Sequence, residues 1–247
     1  MGADPTQESQ GLPERAAMKE GRIPTRQGAN LWLRWVFANA WGEALGLGTT
    51  ALIGAAIVSS LGEGTGALAT LALAAAAVLA GTLVEGTVAG TAQWSVLKGP
   101  LPTIRWRTWA VATGAGAFLA WLLGMIPSTV LSLGADSGGA GAAPAEPSKA
   151  VVLGLAFSMG LVLGPVLGFA QWLVLRRFVS HAALWMPANA FAWAFGMVVI
   201  FAGIDPAIGG GFGLLSIAIL ALTLACAGAV VGAIHGLALV WLLRSPE

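Results

Sequence analysis

Charge is scarce in this sequence. Asp, Glu, Lys and Arg make up 9% of the 247 residues, against about 25% in an ordinary soluble domain. So few charges cannot furnish the usual water-facing surface. Tyrosine is absent, so the 11 tryptophans must supply any aromatic belt at a membrane interface. A single cysteine, Cys226, excludes an intramolecular disulfide. A net charge of +1 leaves no global field to attract nucleic acid. Histidine is limited to His181 and His235, without the ligand cluster that a metal or haem site requires. There is no phosphate-binding Gly-Lys-Ser/Thr loop, no His-Glu-x-x-His, and no nucleophile–base pair. These absences predict a non-enzymatic protein with no cofactor and no metal.

What remains is apolar. Hydrophobic residues make up 57% of the chain and the mean hydropathy is +0.83. A membrane span takes about 20 apolar residues, and six stretches qualify: 33–60, 67–97, 107–133, 150–175, 184–204 and 211–243. Their length and Ala/Leu richness predict helices, since a barrel would need short alternating segments. Of the 12 Lys and Arg, all but Lys149 fall on one side of this layout. They lie in the N-terminal tail, the second and fourth connections, and at Arg244. The positive-inside rule then places both termini in the cytoplasm and favours an even number of helices.

Residues 1–30 lack the apolar core and cleavage pattern of a signal peptide and read as a disordered or interfacial cytoplasmic tail. Met1-Gly2 with Thr6 meets only the loose myristoylation pattern. The third connection, Ala135–Lys149, is rich in Gly, Ala, Pro and Ser and reads as a flexible outward loop. Asp205 before Pro206 reads as a loop residue. Pro165 is a candidate kink, and Pro187 falls in a first turn, where proline is tolerated.

The chain also repeats. Gly86-x-x-x-Gly90-x-x-Gln93-Trp94 in the second span matches Gly164-x-x-x-Gly168-x-x-Gln171-Trp172 in the fourth. Gly228-x-x-x-Gly232-x-x-His235 in the sixth keeps the glycines and replaces Gln by His. With Trp35, Trp109 and Trp185 as origins, the odd spans align small residues and then Asn39, Thr113 and Asn189. The period is about 75 residues, one helical hairpin per unit. The expected fold is therefore an all-α integral membrane bundle of six helices, built as three similar hairpins (31–98, 99–178 and 179–247) around a pseudo-threefold axis. Small residues at every fourth position let helices approach closely in lipid, where burying Leu gains little. A duplication with a divergent third unit is the competing reading.

Asn39, Gln93, Thr113, Gln171, Asn189 and His235 fall in one zone, roughly 6–13 Å inside the basic side at about 1.5 Å per residue. This candidate polar layer is either interhelical hydrogen bonding or the lining of a pocket open to the cytoplasm. Glu43 lies one turn beyond Asn39, and Glu85 two turns before Gln93. Neither repeats, so the fold does not demand them. Carboxylates in mid-membrane are costly and mark a candidate ion or proton site; if close, the pair should share a proton. A protonated, hydrogen-bonded acid at a helix interface is the structural alternative. The two readings of function are a small-cation or proton transporter or sensor, and a non-transporting scaffold or accessory subunit. The expected partners are membrane lipids and a second copy or another membrane protein, with no nucleic acid.

The pattern Gly-x-x-Gln-Trp-x-x-Leu-Arg, Gly168 to Arg176, resembles small bacterial membrane proteins of unassigned function that carry it repeatedly between hydrophobic helices. The resemblance spans most of 33–243, with Lys98 replacing Arg in the first copy. It implies a bacterial inner-membrane location and brings no site residues. The three-hairpin layout is also similar in outline to mitochondrial carriers, but their Pro-x-Asp/Glu-x-x-Lys/Arg signature is absent.

Overall fold

A computed structural model of the chain describes residues 25–61, 66–136, 147–208 and 213–244. Among these there is no strand, and there are six long helices: α1 (Thr25–Leu61), α2 (Ala67–Leu97), α3 (Trp106–Asp136), α4 (Lys149–Leu175), α5 (Trp185–Ile208) and α6 (Leu214–Leu242). Each is long and apolar enough to cross a membrane. Even the shortest, α5 with 24 residues, reaches about 36 Å, more than the ~30 Å hydrocarbon core. The expected tail over residues 1–24 and most of the third connection lie outside the described residues.

Two boundaries differ from the sequence reading by more than three residues. Helix α1 begins at Thr25, ahead of residue 33, so residues 25–30 extend the first helix. Asp205 is not in a loop: α5 runs through Asp205-Pro206 to Ile208. Proline is accommodated there because the helix is about to end, and Lys149 at the start of α4 pairs with the Asp205 carboxylate and donates to the Phe201 carbonyl at 2.9 Å. The chain therefore finds its helix stop in a neighbouring helix. Pro165 does not interrupt α4.

The helices are apolar on all sides, which suits lipid rather than water. Large side chains such as Trp41 (65% exposed) and Leu68 (83% exposed) point outward, while the interior is filled mainly by small residues and tryptophan. Six such helices mark the chain as a multi-pass membrane protein. Each helix packs on its neighbour in sequence, and α1 also packs on α6, closing a ring. Glycines set the closest seams. A Cβ built on Gly160 of α4 would lie 2.5 Å from the Ala194 Cα of α5, and one on Gly232 of α6 would lie 3.0 Å from the Val36 Cα of α1.

At the end of the ring that carries the basic connections, a dry core closes the interior. Trp35, Trp109, Trp185, Leu97 and Leu175 are fully buried there, with Leu239 and Leu242 almost so. Leu101 and Ile104 of the α2–α3 connection complete it. The Trp94 indole donates to the Ile104 carbonyl at 3.1 Å and pins that connection.

Candidate functional site

Immediately inside this core, the repeated polar residues meet. Gln93 donates through Nε2 to Asn39 Oδ1 at 2.9 Å. Gln171 Nε2 donates to Gln93 Oε1 at 2.9 Å and to the Thr113 hydroxyl at 3.1 Å. Asn39 and Asn189 donate back to the Trp35 and Trp185 carbonyls, each at 2.8 Å. The three buried tryptophans join the layer in a cyclic order. Trp109 donates to Gln93 Oε1 (3.2 Å), Trp185 to Gln171 Oε1 (2.9 Å) and Trp35 to His235 Nδ1 (2.8 Å). Each tryptophan thus bonds the Gln or His of the helix before its own around the ring, and the last bond joins α1 to α6. Because an indole N–H only donates, His235 Nδ1 must carry the lone pair, which assigns the ring proton to Nε2. The His235 ring also packs on Trp185 at 5.1 Å and Trp35 at 5.6 Å between centroids.

The repeated motif now has a physical reading. Its glutamine reaches inward to the polar layer. Its tryptophan holds a cation at the helix end: Lys98 lies over Trp94 at 4.8 Å and Arg176 over Trp172 at 4.9 Å.

The polar layer does not open toward the basic side. The Trp and Leu core lies between them. The physical reason is that three tryptophans, which sequence alone could assign to an interfacial belt, turn inward and fill the axis.

On the other side of the layer is a cavity of about 20 Å³, room for about one water. All six helices line it, and Glu43, Glu85, Gln93, Gln171 and His235 all contribute. Glycines bring the two carboxylates to it. On α6, Gly228 leaves space for the Glu43 stem, since a Cβ there would lie 2.8 Å from Glu43 Cγ. On α1, Gly46 lets the helix approach the Glu85 Cα, which a Cβ would meet at 3.0 Å. The positions two turns beyond Trp35, Trp109 and Trp185 are Glu43, Ala117 and Trp193, and all three line the cavity. One unit supplies an acid, one a methyl group and one an indole.

The acids differ in their surroundings. Glu85 ends a π-helical turn, Gly81–Glu85, inside α2. Its Oε2 accepts from the Trp121 indole at 2.7 Å, and that indole occupies the space a Cβ on Gly81 would need. π-turns place an extra residue in a helix and recur at functional sites. Glu43 is only 3% exposed, and its Oε2 is buried without any hydrogen-bond partner.

All eight sequence-predicted residues therefore come together, six in the hydrogen-bonded layer and its histidine and two at the adjoining cavity. Sequence reasoning missed Trp121, the π-turn and the Trp donors. The spacing of Trp35, Trp109 and Trp185 was a usable signal for the last. His181 does not join His235; it adopts a left-handed backbone (φ 55°) and its ring meets Trp241 at 5.9 Å. Among the described residues, no group of three His, Cys, Asp or Glu could hold a metal ion. Comparison with protein-family profiles, curated proteins and solved structures found no match.

Proposed function

We propose that this is a bacterial inner-membrane protein, with both termini cytoplasmic, whose Glu43–Glu85 pair binds and releases a proton as part of transport or sensing. The observation that carries the reading is the partnerless Glu43 Oε2 in a water-sized cavity that Glu85 also lines. A buried polar atom without a partner costs about 1–3 kcal/mol, so a purely structural role would leave Glu43 a net loss. The room is suited to a proton, or a proton carried on one water. It is too small for a metal ion with a shell of six or more oxygens. Three similar hairpins about an axis normal to the membrane form the frame, a reading supported by the cyclic Trp35, Trp109 and Trp185 bonds. The termini follow from the sorting of Lys and Arg.

Proton flux into proteoliposomes tests this directly. Wild type should acidify or alkalinise the lumen under an imposed gradient, and Glu43→Gln and Glu85→Gln should each reduce the rate at least about tenfold, the loss expected of a positioned proton-transfer group. Flux indistinguishable from empty vesicles would refute transport, and an infrared carboxyl band unchanged between pH 5 and 9 would then refute proton exchange altogether.

Stability separates this reading from that of a scaffold. Glu43→Met keeps the length of the side chain and removes the orphaned Oε2. Its unfolding free energy in mild detergent should equal the wild-type value or exceed it by up to about 1 kcal/mol. A scaffold in which the Glu43 carboxyl ties helices together by hydrogen bonds should instead lose stability with that change. The scaffold reading is favoured by one observation, the closed polar layer, whose bonds are satisfied within the chain.

A further inference from the structure

The seam between α3 and α4 is the loosest in the ring. The two helices touch where Gly116 faces Leu167, with a built Cβ 3.0 Å from the Leu167 Cα. Between that contact and the basic side lies an open groove of about 470 Å³ on the outside of the bundle. Its floor and walls are Ala112, Ala115, Ala170, Val111 and Leu173, and its mouth is Arg107, Thr108 and Arg177. From Arg107 to Ala115 the groove descends about 12 Å at 1.5 Å per residue, well into the hydrocarbon.

The groove has an apolar length and a cationic mouth. Arg107 and Arg177 are exposed and neither forms an ion pair with the described residues. The described carboxylates are elsewhere. Glu43 and Glu85 are inside the bundle, and Asp205 is at the opposite end of its helix. Two unpaired guanidinium groups at the mouth of an apolar groove complement an anionic lipid. A guanidinium takes a phosphate through two parallel N–H donors, and Thr108 adds a hydroxyl.

We propose that this groove holds one anionic phospholipid, with its phosphate between Arg107 and Arg177 and an acyl chain along Ala112, Ala115 and Ala170. The groove lies outside the ring and apart from the carboxylate cavity, so the lipid site stands or falls independently of proton binding.

Native mass spectrometry of the full chain, titrated in mild detergent with phosphatidylglycerol or phosphatidylcholine, tests it. One phosphatidylglycerol should be retained in preference to phosphatidylcholine. Each interfacial arginine should account for about a 5-fold affinity difference, and R107Q/R177Q together for about 30-fold. Ala115→Phe, an exposed position, should fill the groove and lower retention of phosphatidylglycerol while leaving lipid-free thermal stability unchanged. Equal retention of the two lipids would overturn the proposal, as would wild-type retention by R107Q/R177Q. Competition by soluble glycerol phosphate as effective as by the lipid would also overturn it, because the apolar groove would then contribute nothing.

Discussion

Gly164→Leu should prevent the bundle from assembling, whereas Gly154→Leu in the same helix should be silent. A Cβ built on Gly164 would run into the Asn189 carbonyl oxygen and lie 2.8 Å from the Ala190 Cα. Both obstacles are backbone, so no rotamer change relieves them. Overpacking typically costs about 1–3 kcal/mol when side chains can give way. Here two helices must separate, and the cost should exceed about 4 kcal/mol, a large part of the 5–15 kcal/mol that holds a protein folded. The separation would also displace Asn189 from the polar layer. Gly154 has nothing within 4 Å of a built Cβ, so Leu there meets lipid and should shift stability by no more than about 0.5 kcal/mol. Size-exclusion chromatography in mild detergent, followed by thermal unfolding, should give an aggregated or unfolded species for the first and a wild-type profile for the second. A folded, monodisperse Gly164→Leu would contradict the close α4–α5 seam.

The contrast between these glycines marks where the sequence stops being informative. Both lie in one apolar helix and hydropathy treats them alike; the repeated Gly164-x-x-x-Gly168 spacing sets Gly164 apart but does not say which backbone it meets. In water, an amphipathic stripe would show which face turns inward. In lipid the outward face is as apolar as the inward one, so Leu and Ala carry no orientation signal. Six spans were legible because length and charge sorting need no orientation. The polar layer was legible because Asn, Gln and His in mid-membrane can only turn inward. Tryptophan was ambiguous: Trp41 is 65% exposed and Trp35, less than two turns earlier, is fully buried. The closing contact of α1 on α6 was beyond reach, since it joins Trp35 to His235 across almost the whole chain. The π-turn at Gly81–Glu85 was likewise hidden, because it is set by the Trp121 indole over Gly81 rather than by local propensity. Glu43 and Glu85 were visible as exceptions to the repeat. Only the structure adds that one has an indole partner and the other has none.

Gln93 and Gln171 occupy the same place in the repeated motif, yet Gln93→Leu should destabilise the protein more. Gln93 takes part in three bonds, with Asn39, Trp109 and Gln171. Its removal leaves Trp109 Nε1 and Asn39 Oδ1 without those partners in a dry interior, while Gln171 Nε2 keeps the Thr113 hydroxyl. Gln171→Leu removes the Trp185 acceptor, but Gln93 Oε1 still receives Trp109. With each orphaned group costing about 1–3 kcal/mol, and interhelical bonds in membranes near the lower end of that range, Gln93→Leu should cost about 3 kcal/mol and Gln171→Leu about 1.5 kcal/mol. Trp109→Phe should partly rescue Gln93→Leu, because it removes the stranded indole N–H and keeps most of the ring. The expected coupling in a double-mutant cycle is about 1 kcal/mol, read from unfolding free energies in detergent or bicelles. Strict additivity of Gln93→Leu and Trp109→Phe would mean that the indole does not depend on Gln93. Equal costs for the two glutamines would mean that the layer is held by packing. A measured difference would instead show that the six helices are held in one ring by a hydrogen-bond cycle whose links are unequal.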